Sequence, residues 1–242
     1  MTMDMEKNML SEKSRTFIEG FDQLVGGGFP KGCSVLLSGT PGTGKTIFAL
    51  QYVCNGAVQS HEKGLYVTLE ESADNLRRQA KQFGLDLEKL EKQGLVTLLE
   101  ITPRNVTESS VKEILKKVER GKYERMVIDS LSALAINTPN TLGSVKDITE
   151  IFIKRFMYHF ISDIRSSNAT TLLISQAVDE KKLSNEGVSE FVCDGVVHFR
   201  FETLGGPYSR SLLVRKMREV KNDEDIHPLE ISSKGIIVHN LR

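Results

Sequence analysis

The chain has 242 residues, of which 39% are hydrophobic, enough to bury one sizeable core without invoking a second. Its 32 Lys and Arg balance 32 Asp and Glu, so no overall basic field gathers nucleic acid or an anionic membrane. Met1 to Ser14 is polar and lacks the apolar stretch of a signal peptide, and no later run approaches the roughly 20 apolar residues that span a bilayer. These features point to a cytoplasmic protein with a polar N-terminal segment (1–14) followed by a single domain (15–242). Cys33, Cys54 and Cys193 are isolated and odd in number, which suggests neither disulfides nor a zinc site but small buried hydrophobes.

In chain order, Gly26-Gly27-Gly28 lacks the strand-to-helix context of a dinucleotide loop and reads as a turn. Ser34 to Ser38 is a short β-prone run that enters a glycine loop, and Lys45 to Val58 then carries Ile47, Leu50, Val53, Cys54 and Ala57 on one helical face. A second strand, Gly64 to Leu69, ends in Glu70-Glu71. Helical spacing follows over Ser72 to Phe83, with Gly84 placed to stop it. Leu95 to Ile101 is a third strand, Glu108 to Arg120 an amphipathic helix closed by Gly121, and Arg125 to Asp129 a fourth strand ending on a carboxylate. A long helix from Val145 to Arg165 leads to the strand Thr170 to Ser175.

Strands alternating with helices predict an α/β fold: a mostly parallel sheet covered on both faces, with ligands beyond the strands' C-terminal ends. The glycine loop, the acidic pair, Asp129 and Gln176 all fall at that edge. After Gln176 the pattern changes to short strands, Val196 to Glu202, Ser211 to Arg215, Leu229 to Ser232 and Ile236 to His239. With turns between them and no helices, they predict antiparallel hairpins appended to the sheet.

The loop Gly39-Thr40-Pro41-Gly42-Thr43-Gly44-Lys45-Thr46 has the G-x-x-x-x-G-K-[ST] spacing. Its glycines let backbone N–H groups wrap a polyphosphate, the helix N-terminus adds positive potential, Lys45 reaches the β- and γ-phosphates, and the Thr46 hydroxyl ligates Mg2+. Asp129 has the setting of the carboxylate that holds this Mg2+ through water. For Glu70-Glu71 two readings stand open: acids placed to suit the macrodipole of the following helix, or a base that orients the attacking water. Gln176 is either an ordinary polar strand end or a sensor of the γ-phosphate. Arg215-Lys216-x-Arg218 reads as a solvated strand edge or as a charge donor to a neighbour's nucleotide. The five histidines share no ligand spacing.

The combination of these features resembles the RecA-like ATPases and, within them, the KaiC family. The resemblance rests on Phe17-Ile18-x-Gly20-Phe21-Asp22-x-Leu24-x-Gly26-Gly27-Gly28-x-Pro30-x-Gly32 and the glycine loop, Val67 to Ser72, Phe83-Gly84-Leu85-Asp86, Ile128-Asp129-Ser130, Gly187 to Asp194 and Lys216-Met217-Arg218. The chain looks like one of the two tandem domains of the circadian-clock member. The resemblance implies an ATP-binding, Mg2+-dependent ATPase that forms a homo-oligomeric, hexameric ring with ATP at each subunit interface. It also implies slow hydrolysis as a switch toward protein partners. In that family the paired glutamates activate water and the Lys-x-Arg reaches the adjacent subunit's phosphates, which raises Glu70, Glu71, Lys216 and Arg218 to catalytic candidates beside Gln176. Glu190 and Phe191 occupy the positions where the self-phosphorylating domain carries adjacent Ser and Thr, so autokinase activity is not expected.

Two other readings are weighed. A recombinase-like binder of single-stranded DNA would need a basic loop at Val178 to Glu190, yet Lys181 and Lys182 there face Asp179, Glu180, Glu186 and Glu190. A docking module with little turnover would not require the intact Lys45, Thr46, Glu70 and Asp129.

Overall fold

The computed structural model describes residues 12–101, 108–136, 146–179, 182–201 and 209–240. Most of the polar N-terminal segment, together with Val145, Glu180, Lys181 and Glu202, lies outside them. Among the described residues no helix is long and apolar enough to cross a membrane.

A small antiparallel pair, β1 (Lys13–Ser14) and β2 (Phe29–Pro30), precedes the main sheet. It is stitched down by Asp22, whose carboxylate accepts from the Thr16 and Phe17 backbone N–H groups and from the Thr16 hydroxyl. Phe21, Phe29 and Tyr52 are fully buried there. Gly20 has φ 79°, and an added Cβ would sit 1.8 Å from the Val238 carbonyl oxygen, so only glycine fits. The first block of the motif that carries the family resemblance is therefore a folding device, clamping this segment against the end of the sheet.

The main sheet contains β3 (Ser34–Gly39), β4 (Gly64–Thr68), β5 (Val96–Glu100), β6 (Arg125–Asp129), β7 (Thr170–Gln176), β8 (Gly195–Phe201), β9 (Arg210–Met217), β10 (His227–Ser232) and β11 (Gly235–Val238). Their order is β11-β10-β9-β8-β3-β7-β6-β4-β5. From β8 to β5 every pairing is parallel, and from β8 outward to β11 every pairing is antiparallel. One face is covered by α1 (Lys45–Ser60), α2 (Ala73–Gln82) and α3 (Leu87–Lys92). The other carries α4 (Glu108–Gly121), α5 (Leu131–Ile136) and α6 (Lys146–Arg165). Each face buries its own apolar cluster, Phe48, Leu50, Val53 and Leu76 on one side and Ile114, Val118, Met157 and Phe160 on the other. Strands such as β3 and β6 are buried from end to end, as a sheet covered on both faces requires.

The architecture is the expected α/β one, and it adds the β1–β2 pair and the short helices α3 and α5 to the elements read from the sequence. The segment after Gln176 does hold a helix, the single turn α7 (Ser189–Val192). The first late strand, β8, is not simply a hairpin arm: it pairs in parallel with β3 on one side and antiparallel with β9 on the other. The helix α4 closes at Gly121 as expected, with Gly121 its last residue and Lys122, just beyond it, the residue that takes the left-handed conformation. Glycine is needed at 121 because a Cβ would lie 2.0 Å from the Tyr123 ring. Cys33, Cys54 and Cys193 are all buried, as expected. Burial pushes the Cys33 and Cys54 thiols up to about 12 and raises Cys193 as well, leaving all three as inert thiols.

Candidate functional site

β3 leads straight into the glycine loop, and α1 begins at Lys45. Gly42 and Gly44 have φ 81° and 105°, conformations that turn successive backbone N–H groups toward one concave side and that side chains resist. The Lys45 ammonium lies along the loop, donating to the carbonyls of Gly39 (2.7 Å) and Thr40 (2.9 Å). Burial pulls its pKa down to about 8, against the raising effect of Asp129 and Glu70. An ammonium partly stripped of water and set at the mouth of a helix N-terminus is poised for an anion.

Because β3, β7, β6 and β4 run in parallel, their C-terminal ends deliver side chains to one cleft of about 370 Å³. Its walls include Gly42, Gly44, Lys45, Thr46, Glu70, Glu71, Asp129 and Gln176. Asp129, at the end of β6, accepts from the Thr46 hydroxyl at 3.1 Å and from the Tyr66 hydroxyl at 2.6 Å. Burial raises its pKa to about 6 in spite of those two donors. A hydroxyl beside a buried carboxylate that needs a counter-charge suits a hard divalent cation whose other ligands are water and phosphate oxygen. Among the described residues no cluster of three His, Cys, Asp or Glu could hold a metal by itself.

The two glutamates part company. Both lie before Ser72, which caps α2 by accepting from the Asn75 N–H, so neither is in the helix's first turn, where Asp74 is the acid. Glu70 is exposed to the cleft and accepts from the hydroxyl of Ser130, next to Asp129. Glu71, also in the cleft wall, instead accepts from the amide of Gln79 on α2 at 2.6 Å. Gln176 ends β7 with an exposed side chain at the cleft, its N–H bound to the Ser132 hydroxyl at 3.0 Å.

Lys216 and Arg218 are not in the cleft. Lys216 lies opposite Val196 near the start of β8, whereas the glycine loop follows Gly39, which pairs with Phe199 farther along that strand. The two cations thus occupy the other end of the sheet. The Lys216 ammonium donates to the carbonyls of Cys193 (2.6 Å), Phe191 (3.3 Å) and Glu190 (3.4 Å) around α7. Arg218 meets Asp194 at 3.1 Å, as does Arg165. Burial would raise Asp194, but the Ser34 N–H and hydroxyl and the two arginines hold its pKa below the usual carboxylate range.

Several residues gain a place here that the sequence reading gave them no role for: Ser130, Gln79, Arg210 and Ile231 in the cleft wall, and Tyr66, fully buried behind it against Asp129. Arg210 donates from Nε to the Gly42 carbonyl at 3.0 Å and lies over the Phe201 ring, 4.7 Å from its centroid. Only the Asp-Ser step after β6 gave a local signal, for Ser130. The rest depend on which strands become neighbours.

A family model described as the KaiC ATPase matches residues 14–242. The chain belongs to the KaiC ATPase family. It is 32% identical over 234 residues to the circadian clock oscillator protein KaiC of Synechococcus elongatus, an alignment that takes in 95% of this chain but 44% of the clock protein. With a UPF0273 protein of Pyrococcus furiosus it shares 33% identity over 242 residues, 93% of each chain. The crystal structure of a KaiC-like protein from Pyrococcus horikoshii superposes with a TM-score of 0.81 at 34% identity, covering 95% of this chain and all of that one. This KaiC-family chain therefore has the RecA-like P-loop fold, and ATP binding and ATPase chemistry are the properties its family name carries. It spans less than half the length of the clock protein.

Proposed function

We propose that this protein is a Mg2+-dependent ATPase that completes its active site only in a ring of identical subunits, a hexamer in the family pattern. We further propose that it turns over slowly, as a cytoplasmic switch read by protein partners. The observation that carries the reading is the separation just described. The phosphate loop, Asp129, Glu70 and Gln176 share one cleft, while the cations suited to a transferring phosphoryl group stand at the far end of the same sheet. A neighbouring copy can present them head to tail.

In this reading the glycine loop and Lys45 hold the polyphosphate, and Thr46 with Asp129 would hold Mg2+, which neutralises charge between the β- and γ-phosphates. Glu70 orients and deprotonates the attacking water, with Glu71 supporting the turn that presents it. Gln176 contacts the γ-phosphate. Lys216 and Arg218 of the next copy compensate charge that develops on the phosphoryl group.

The test is ATP turnover measured beside light-scattering mass. With Mg-ATP, the particle mass should rise toward six times the 27.1 kDa of the chain, and phosphate release should appear with it. EDTA should abolish both. Turnover by a monomer would refute the shared site, and tight ATP binding without turnover would reduce the protein to a docking module.

Arg210 provides a separate check on where the nucleotide lies. Its guanidinium braces the loop at Gly42 and walls the cleft together with Ile231. Arg210→Ala removes a hydrogen bond from a charged group and should weaken ATP binding by about tenfold, with maximal turnover retained. Isothermal titration would read it, and unchanged affinity would place the nucleotide away from this wall.

A further inference from the structure

Behind the cleft a buried polar chain leads away from Gln176, and no step of the proposed hydrolysis uses it. Ser175, fully buried on β7, donates its hydroxyl to Glu186 Oε2 at 2.9 Å. Ser189, the first residue of α7 and also fully buried, donates to Glu186 Oε1 at 2.5 Å. On the cleft side the Ser175 hydroxyl lies 3.3 Å from that of Ser132, which in turn holds the Gln176 N–H. On the far side the carbonyls of Glu190, Phe191 and Cys193, in and just after α7, seat the Lys216 ammonium. Among the described residues Glu186 is thus a carboxylate bonded to both β7 and α7.

Its chemistry suits a rigid strut. Glu186 is only 5% exposed, and a carboxylate is an acceptor on both oxygens, so it can take two hydroxyl donors at once from two elements. Such a buried group holds its place only while both partners keep theirs, because an unsatisfied buried charge is costly. A shift of the Ser175-Gln176 end of β7 would therefore act through this carboxylate on α7, whose carbonyls hold Lys216.

We propose that Glu186 is a positioning residue that couples the nucleotide state sensed at Gln176 in one subunit to the Lys216–Arg218 cations which that subunit offers to the next. This rests on the reading of Lys216 and Arg218 as donors to a neighbouring copy. The consequence is cooperative hydrolysis around the ring: filling one cleft sets the cation of the adjacent one.

The experiment is the initial ATPase rate against ATP concentration for wild type, Glu186→Gln and Ser189→Ala, with light-scattering mass taken on each. Gln must donate from one of its two atoms, so it cannot accept both hydroxyls, while its size is unchanged. Ser189→Ala cuts the α7 link alone and leaves Glu186 bonded to Ser175, which guards against misfolding of the first variant. Wild type should give a sigmoidal curve with a Hill coefficient of about 2 or more. Both variants should assemble and reach a similar rate at saturating ATP, with the coefficient falling to about 1. A hyperbolic wild-type curve, or variants that stay as sigmoidal as wild type, would overturn the coupling while leaving the shared active site standing. Absence of any turnover in wild type would reject the site reading and this proposal together.

Discussion

Arg218→Ala should lower ATP turnover by about 10³-fold or more while leaving ATP affinity of the free chain unchanged. Both halves of that expectation come from placement. Arg218 stands at the opposite end of the sheet from the glycine loop, so within one chain it touches nothing that binds nucleotide. Its loss should also leave the fold intact, because Arg165 still meets Asp194 at 3.1 Å and the Ser34 N–H and hydroxyl still bond that carboxylate. The decisive version mixes Arg218→Ala with Lys45→Ala, each inactive alone. In a random equal mixture about a quarter of head-to-tail interfaces join an intact loop to an intact arginine, and turnover should recover toward that fraction. No recovery, or a loss of only tenfold in Arg218→Ala itself, would remove Arg218 from the reaction.

The sequence made the parallel core and the loop edge legible because both are local. Ser34 to Ser38 and Arg125 to Asp129 are buried apolar runs, and each hands its chemistry to the next few residues. Once alternating strands and helices are read, those ends must share an edge, and Thr46 and Asp129 meet there at 3.1 Å. What stayed hidden is settled by pairing between distant segments. Nothing in Gly195 to Phe201 says that the strand will lie parallel to β3, 160 residues away in the Ser34–Asp194 bond that anchors its start. Without that pairing, Arg210 and Ile231 cannot be placed against the phosphate loop. Gly121 illustrates a different limit: it reads as a helix stop, and the helix does end on it, but nothing local shows that it also makes room for the Tyr123 ring. Glu70-Glu71 illustrates a third, since two identical side chains acquire different surroundings only when Ser130 and Gln79 are folded beside them.

That difference yields the sharpest chemical expectation at the cleft itself. Glu70→Gln keeps the size of the side chain and an oxygen to accept the Ser130 hydroxyl, so the turn and the neighbouring Asp129 should be undisturbed. What it removes is the basic carboxylate, and loss of a general base costs roughly 10²–10⁴-fold in rate. ATP binding and ring assembly, which depend on the loop and on other surfaces, should persist. Glu71→Gln meets another situation. Its carboxylate already accepts the Gln79 amide at 2.6 Å and is turned toward α2, so the same substitution should cost less than about tenfold in turnover. Single-turnover phosphate release by the two variants, each loaded with Mg-ATP, separates the cases. Equal large losses would mean that the pair acts as a unit, whereas a greater loss from Glu71→Gln would require Glu71 to leave Gln79 and replace Glu70 at the water when nucleotide binds. Near-normal release by both would return the acidic pair to a structural role at the entrance of α2 and leave the attacking water to another base.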